Sequence, residues 1–182
     1  VHCFGGNYNG GGLYFADGTD MVAYDVKVPN TLGAVKVTVG GVKDATFSGY
    51  TTTSCAVMTD ATVTCWSVPS YGNQNAVTTY DYLSQQSSLP YTLEGFNNIV
   101  EIRIAGENFC GLRTDGQIQC TGKNEVGQLG NGTTIDSISP VLVSGINNAV
   151  SLSLLGQTVC AVLDNGNAKC WGKNSRSDFM GL

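Results

Sequence analysis

The sequence predicts an all-β chain assembled from repeated four-stranded units, and three observations predict it. Of the 182 residues 24 are glycine, only 13% are charged, and valine, threonine and tyrosine are plentiful. No long stretch carries a helical apolar period, so this is strand composition punctuated by turns. Three cysteine pairs share one spacing of ten positions, and two segments of about 35 residues align strand for strand. The length suffices for one ordinary domain with a real core.

The cysteine pairs define the first element, a hairpin. In "CGLRTDGQIQC" (residues 110–120) Thr114 and Asp115 form a type I turn, and Gly116 follows in the left-handed region, where glycine carries no Cβ penalty. Arg113 then faces Gln117, Leu112 faces Ile118, Gly111 faces Gln119 and Cys110 faces Cys120. The cysteines fall at a non-hydrogen-bonded pair, with Cα atoms about 4.5 Å apart, so a cross-strand disulfide is feasible. "CAVMTDATVTC" places Cys55 against Cys65 in the same way, and "CAVLDNGNAKC" places Cys160 against Cys170. Ala61 is the weak copy, because alanine fits the left-handed position poorly. Reduced, buried thiols are the alternative to three disulfides. Zinc is disfavoured, since tetrahedral sites use closer cysteine pairs, often with histidine, and His2 is the sole histidine.

The remaining strands follow from the repeat. The second cysteines, Cys3, Cys65, Cys120 and Cys170, lie 62, 55 and 50 residues apart. In each unit the first strand surrounds "IVEIRIA" or "AVSLSLL", the second and third form the cysteine hairpin, and the fourth surrounds "PYTL" or "PVLV". Gly-Phe-Asn-Asn and Gly-Ile-Asn-Asn mark the turns between units. Four strands in roughly 50 residues match a propeller blade, and a single such sheet buries both faces only by stacking on its neighbours. On one hairpin face Leu112 and Ile118 flank the disulfide, with counterparts Val57 and Val63, and Val162 and Ala168. Gly111, Ala56 and Ala161 on the other face are small enough to admit a neighbouring blade closely. The expected divisions are a partial blade at 1–34, a blade at 35–94 with a long loop at 67–90, a blade at 95–145 and an incomplete blade at 146–182, all in one propeller-like domain.

The stretch "CGLRTDGQIQCTGKNEVGQLGNGTTIDSISPVLVSGINNAVSLSLLGQTVCAVLDNGNAKCWGKN" resembles the repeats of the regulator of chromosome condensation family, in its secreted, disulfide-containing form. The most specific piece is "GKNEVGQLGNGTT" at 122–134, followed by "SPVLVSG". The likeness is strong from about 89 to 174, weaker from 35 to 67 and fragmentary from 1 to 34. It implies a β-propeller, seven-bladed in the complete family member, of which this chain would hold a partial ring of about three to four blades. Cys3 lacks a partner in register, which would lie before the first residue. We therefore expect a longer protein, or several chains that combine.

Disulfides belong to an oxidising compartment, so an extracellular, secreted or cell-surface location is expected. The net charge is −5, and the nine Lys and Arg residues are scattered singly. A nucleic-acid surface requires clustered positive charge. This acidity and the disulfides also argue against the family's namesake activity, nucleotide exchange on a small GTPase with chromatin binding. No apolar run reaches membrane-spanning length. Histidine-based acid–base chemistry has little material, no nucleophile elbow or phosphate loop is present, and "ADGTD" (16–20) lacks the ligand spacing of a calcium loop. The expectation is a protein that is not an enzyme and holds neither cofactor nor metal.

Function is expected in the connection from third to fourth strand, because loops on a repeated scaffold carry variation. From Cys120 to Pro140 it spans 20 positions, against 25 from Cys65 to Pro90 and 26 from Cys3 to Pro29. The two longer loops are rich in Tyr, Asn, Gln, Ser and Gly, the mixture of a paratope and one that also suits sugars. The candidate ligand-binding residues are Tyr8, Tyr14, Phe15, Tyr71, Asn73, Tyr80 and Tyr82. Trp66 and Trp171, each directly after a hairpin cysteine, are assigned to core or inter-blade packing. The expected function is an extracellular adhesion or binding module for a protein or glycan on another cell; a secreted inhibitor of a hydrolase is the alternative. Unpaired edge strands would also invite a homo-oligomer or a position at the tip of a fibre.

Overall fold

A computed structural model of the chain describes residues 2–3, 26–27, 31–43, 50–67 and 91–174. Among them there is no helix, and the strands form antiparallel sheets in chain order. β1 (His2–Cys3) pairs with β2 (Val26–Lys27). β3 (Ala34–Lys43), β4 (Tyr50–Met58), β5 (Val63–Ser67) and β6 (Tyr91–Thr92) make the first four-stranded sheet. β7 (Ile99–Ala105), β8 (Asn108–Arg113), β9 (Ile118–Gly122) and β10 (Ser137–Leu142) make the second. β11 (Ala149–Leu155), β12 (Thr158–Leu163) and β13 (Ala168–Gly172) make the third. These are propeller blades, each a meander whose first strand lies against the first strand of the next sheet.

Turn chemistry sets the hairpin register. Arg113 N–H donates to the Gln117 carbonyl at 2.9 Å, Gly116 N–H returns to the Arg113 carbonyl at 3.1 Å, and Gly116 has φ of 76°. Leu112 therefore faces Ile118, Gly111 faces Gln119 and Cys110 faces Cys120. The other hairpins repeat this register, and all three disulfides form, with Cα separations of 4.0, 4.1 and 4.1 Å. Ala61 does occupy the left-handed region, at φ 61°. An Asx bond helps fix that turn: Asp60 Oδ1 accepts from Thr62 N–H at 3.1 Å and from its hydroxyl at 2.7 Å.

Blades stack by setting the disulfide face of one sheet against the aliphatic face of the next. Between the first two four-stranded sheets Cys55, Val57, Val63 and Cys65 meet Phe96, Ile99, Ile102, Ile104 and Phe109. Between the second and third, Cys110, Leu112, Ile118 and Cys120 meet Ile146, Ala149, Leu152, Val159, Ala161 and Leu163. Each large aliphatic buried there contributes about 1.5–3 kcal/mol. A backbone bond at the rim repeats with the stack. Ile99 N–H donates to the Ala61 carbonyl, and Ala149 N–H to the Gly116 carbonyl, both at 2.9 Å. On the small-residue face the crowding at Gly111 comes from its own sheet: a Cβ there would lie 3.0 Å from the ring of Phe96, in the turn leading into β7, and 2.9 Å from Ile99 Cδ1 on β7.

Candidate functional site

The connection from third to fourth strand is described in full in the second sheet, where it runs from Lys123 to Asp136. It leaves β9 at Gly122, whose φ is 121°; a Cβ there would run into the Glu107 carbonyl oxygen. Gly172 repeats the arrangement against the Gln157 carbonyl. Only glycine fits such a position. Asn108 Nδ2 donates to the Lys123 carbonyl at 2.7 Å and so ties the exit to β8.

Asn124 organises the loop. It is fully buried. Its Nδ2 faces the carbonyls of Thr133 and Ile135, each at 3.0 Å, and the side-chain oxygens of Asn131 and Thr133, each at 3.3 Å. Its Oδ1 accepts from Leu129 N–H at 2.8 Å. One amide thereby satisfies both arms of the loop, which irregular buried backbone requires. Leu129 can then enter the inter-blade core. The adjacent Gln128 carbonyl accepts the Trp171 indole N–H at 3.1 Å. Trp171 thus packs between blades, as assigned from sequence, and its indole also clasps the loop of the preceding sheet. Trp66 is buried with Ala56.

Charges on this scaffold hold it together. Lys123 Nζ pairs with Asp136 Oδ2 at 3.1 Å, which raises the lysine's pKa, while Asp136 Oδ1 accepts from Asn124 N–H at 2.7 Å. In the turns, hydrogen bonds from Thr62 lower the Asp60 pKa, and those from Arg113 and then Gln117 lower that of Asp115. Buried Glu101 pairs with Arg103, whose Nε donates across the blade interface to the Leu152 carbonyl at 3.1 Å. Among the described residues no group of three or more His, Cys, Asp or Glu side chains could hold a metal. No helix among them is long and apolar enough to cross a membrane.

The corresponding connection of the first four-stranded sheet, 68–90, lies outside the described residues, and its sequence differs at the two key positions. Ser67 stands where the second sheet has Gly122, and Pro69 stands where it has Asn124. Proline supplies neither an amide side chain nor a backbone donor. Tyr71, Asn73, Tyr80 and Tyr82 in that connection, and Tyr8, Tyr14 and Phe15 in the earlier one, lie outside the described residues. The disulfide cysteines Cys55, Cys65, Cys110, Cys120, Cys160 and Cys170 are placed as expected. Sequence reasoning assigned no role to Asn124, Glu101 or Arg103. The recurrence of Asn174 after Gly172, matching Asn124 after Gly122, was the available signal for Asn124.

Residues 115–163 match the regulator of chromosome condensation (RCC1) repeat. The match runs from the turn of one cysteine hairpin to the second strand of the next sheet. Three solved structures share the fold. Yeast RCC1 (Prp20), solved bound to Kap60, superposes with a TM-score of 0.53 at 19% identity, over 67% of this chain and 28% of its own. Human WBSCR16 gives 0.51 at 20% identity, over 66% and 31%. Prp20p from Saccharomyces cerevisiae, described with its binding to Gsp1p and histones, gives 0.60 at 17% identity, over 87% and 35%. This chain therefore spans about a third of the length of those proteins. No curated protein matches it. Residues 115–163 thus match the RCC1 repeat, in a chain that shares the blade architecture of the RCC1 β-propeller.

Proposed function

We propose that the chain is an extracellular binding module that recognises a protein ligand through the long connections of its first blades. The observation that carries this reading is the contrast between two equivalent loops. Residues 123–136 are held closed by Asn124, whereas the loop after Ser67 has Pro69 in that place and carries Tyr71, Asn73, Tyr80 and Tyr82. A loop that lacks the organising asparagine in its sequence and is supplied with tyrosine and small polar residues has the composition of a recognition surface.

A protein ligand is favoured over a glycan because one solved protein of this fold, yeast Prp20, is described with protein partners, Kap60 in one structure and Gsp1p and histones in another. Fold alone does not transfer those partners. Three stapled hairpins support an oxidising environment, which separates this chain's setting from a reducing one.

The test is a binding screen of the 182-residue chain against displayed extracellular proteins and a glycan panel. It is then repeated with Tyr80→Ala and Tyr82→Ala combined. The expected result is a protein hit weakened about 30-fold or more by the double substitution, with an unchanged thermal midpoint. Unaltered binding refutes the loop assignment, and a hit confined to glycans refutes the ligand class.

A further inference from the structure

Asn131-Gly132-Thr133 is the one place in the chain where serine or threonine stands two positions after an asparagine, with no proline between them or directly after. That tripeptide is the acceptor pattern for attachment of a glycan to asparagine. The pattern alone says little, since the same residues also shape the loop. In the structure, shaping and acceptance fall on different atoms of one amide.

The shaping belongs to Oδ1 of Asn131. It accepts from Thr133 N–H at 3.1 Å and from the Thr133 hydroxyl at 2.9 Å, and Asn124 Nδ2 lies 3.3 Å away. A backbone N–H can only donate, so the atom facing it is the amide oxygen and the nitrogen is turned the other way. That nitrogen, Nδ2, makes no hydrogen bond among the described residues and is not buried. Around it the loop is open. Gly132, Thr133 and Thr134 are exposed, and a Cβ placed on Gly132 would meet nothing within 4 Å. Asn124 is the contrasting case, fully buried with both ends of its amide bonded.

We infer that Asn131 is an acceptor for N-linked glycosylation, taking an oligosaccharide from a lipid diphosphate donor. The inference rests on the extracellular setting proposed above, because donor and transferase are met on the secretory route. In the transfer Nδ2 bonds to the anomeric carbon of the sugar as the bond from that carbon to the diphosphate oxygen breaks. The lipid diphosphate leaves with the electron pair of the broken bond, and Nδ2 gives up one proton to solvent. Nothing is oxidised or reduced. The product keeps Oδ1 as acceptor of both Thr133 bonds, so the folded loop carries the sugar without rearrangement.

The test is expression of the 182-residue chain behind a secretion signal in cultured eukaryotic cells. Peptide mass spectrometry follows, before and after an amidase that removes N-glycans and leaves aspartate. Chain retained in the lumen is read together with chain from the medium, so poor secretion does not blunt the result. The expected result is a glycan on the peptide that carries Asn131. It is lost in Asn131→Gln and in Thr133→Ala, and kept in Thr133→Ser, which retains the hydroxyl. The glycosylated chain should unfold at the same temperature as oxidised chain made without the glycan. Chain that has formed its Cys110–Cys120 bond yet is unmodified at Asn131 overturns the inference and leaves the extracellular setting standing. A glycan that survives Thr133→Ala overturns it too. So does a glycan that lowers the unfolding temperature, which would show that Nδ2 was not free. The two proposals fail separately: free thiols at Cys110 and Cys120 in that lumen count against the extracellular setting, while Asn131 is scored on its own peptide in either case.

Discussion

Replacement of Asn124 by alanine tests whether the 123–136 loop is held by one buried amide. The substitution removes the acceptor of Leu129 N–H, a bond of 2.8 Å on a residue with no solvent exposure. A buried donor left without a partner costs about 1–3 kcal/mol. The substitution also removes the donor shared among Thr133, Ile135 and Asn131. Thr133 and Ile135 are exposed, so water satisfies their carbonyls and only about 1 kcal/mol is added. The sum is about 2–4 kcal/mol, which lowers the thermal midpoint by roughly 5–15 °C for a chain of this size. Urea unfolding measures the free energy, and hydrogen exchange at the Leu129 amide locates the damage. Asn124→Asp separates the two halves of the amide: it keeps the acceptor but turns a carboxylate toward the Thr133 and Ile135 carbonyls. It should be as damaging at neutral pH and milder in acid, where its carboxyl can donate. A loss below about 0.5 kcal/mol with Leu129 still protected refutes the keystone role.

Three further outcomes follow from named residues. Removal of the Cys110–Cys120 bond by paired alanine substitutions should cost about 2–3 kcal/mol in non-reducing urea titrations, the expectation for so short a loop; an unchanged midpoint contradicts the staple. Ala61→Gly should stabilise the chain by about 0.5–1 kcal/mol, because the relief of φ 61° exceeds glycine's added unfolded-state entropy; destabilisation would show that the alanine packs usefully there. The carboxyls of Asp60 and Asp115 sit below the ordinary range because local donors hold them ionised. Their contribution is therefore present above the unfolded value near 3.9 and lost as pH falls below it through the folded value. Acid titration of stability in Asp115→Asn should accordingly be shallower below about pH 4 than in the parent.

The cysteine hairpins were legible because two local rules determine them. Thr114-Asp115-Gly116 sets the loop length, and the two-residue period of a strand then brings Cys110 to Cys120 and puts Leu112 and Ile118 on the same face. The repeat made stacking legible, since Ile102 and Leu152 recur at equivalent positions. Asn124 was less so, because its role depends on where residues 129–135 pass and no local pattern encodes that path. The bond from Trp171 to Gln128 spans 43 positions, and that between Arg103 and Leu152 spans 49. Such contacts exist only once the blades are stacked. Tyr71, Tyr80 and Tyr82 have no counterpart in the better-preserved repeats, so internal alignment supplies no template for them.

The central claim is that each of the three stacked blades is pinned by its own disulfide. Mass spectrometry of unreduced proteolytic peptides from the purified protein tests it most directly. The account predicts Cys55 joined to Cys65, Cys110 to Cys120 and Cys160 to Cys170. Free thiols at these positions, or linkage between different hairpins, would contradict it.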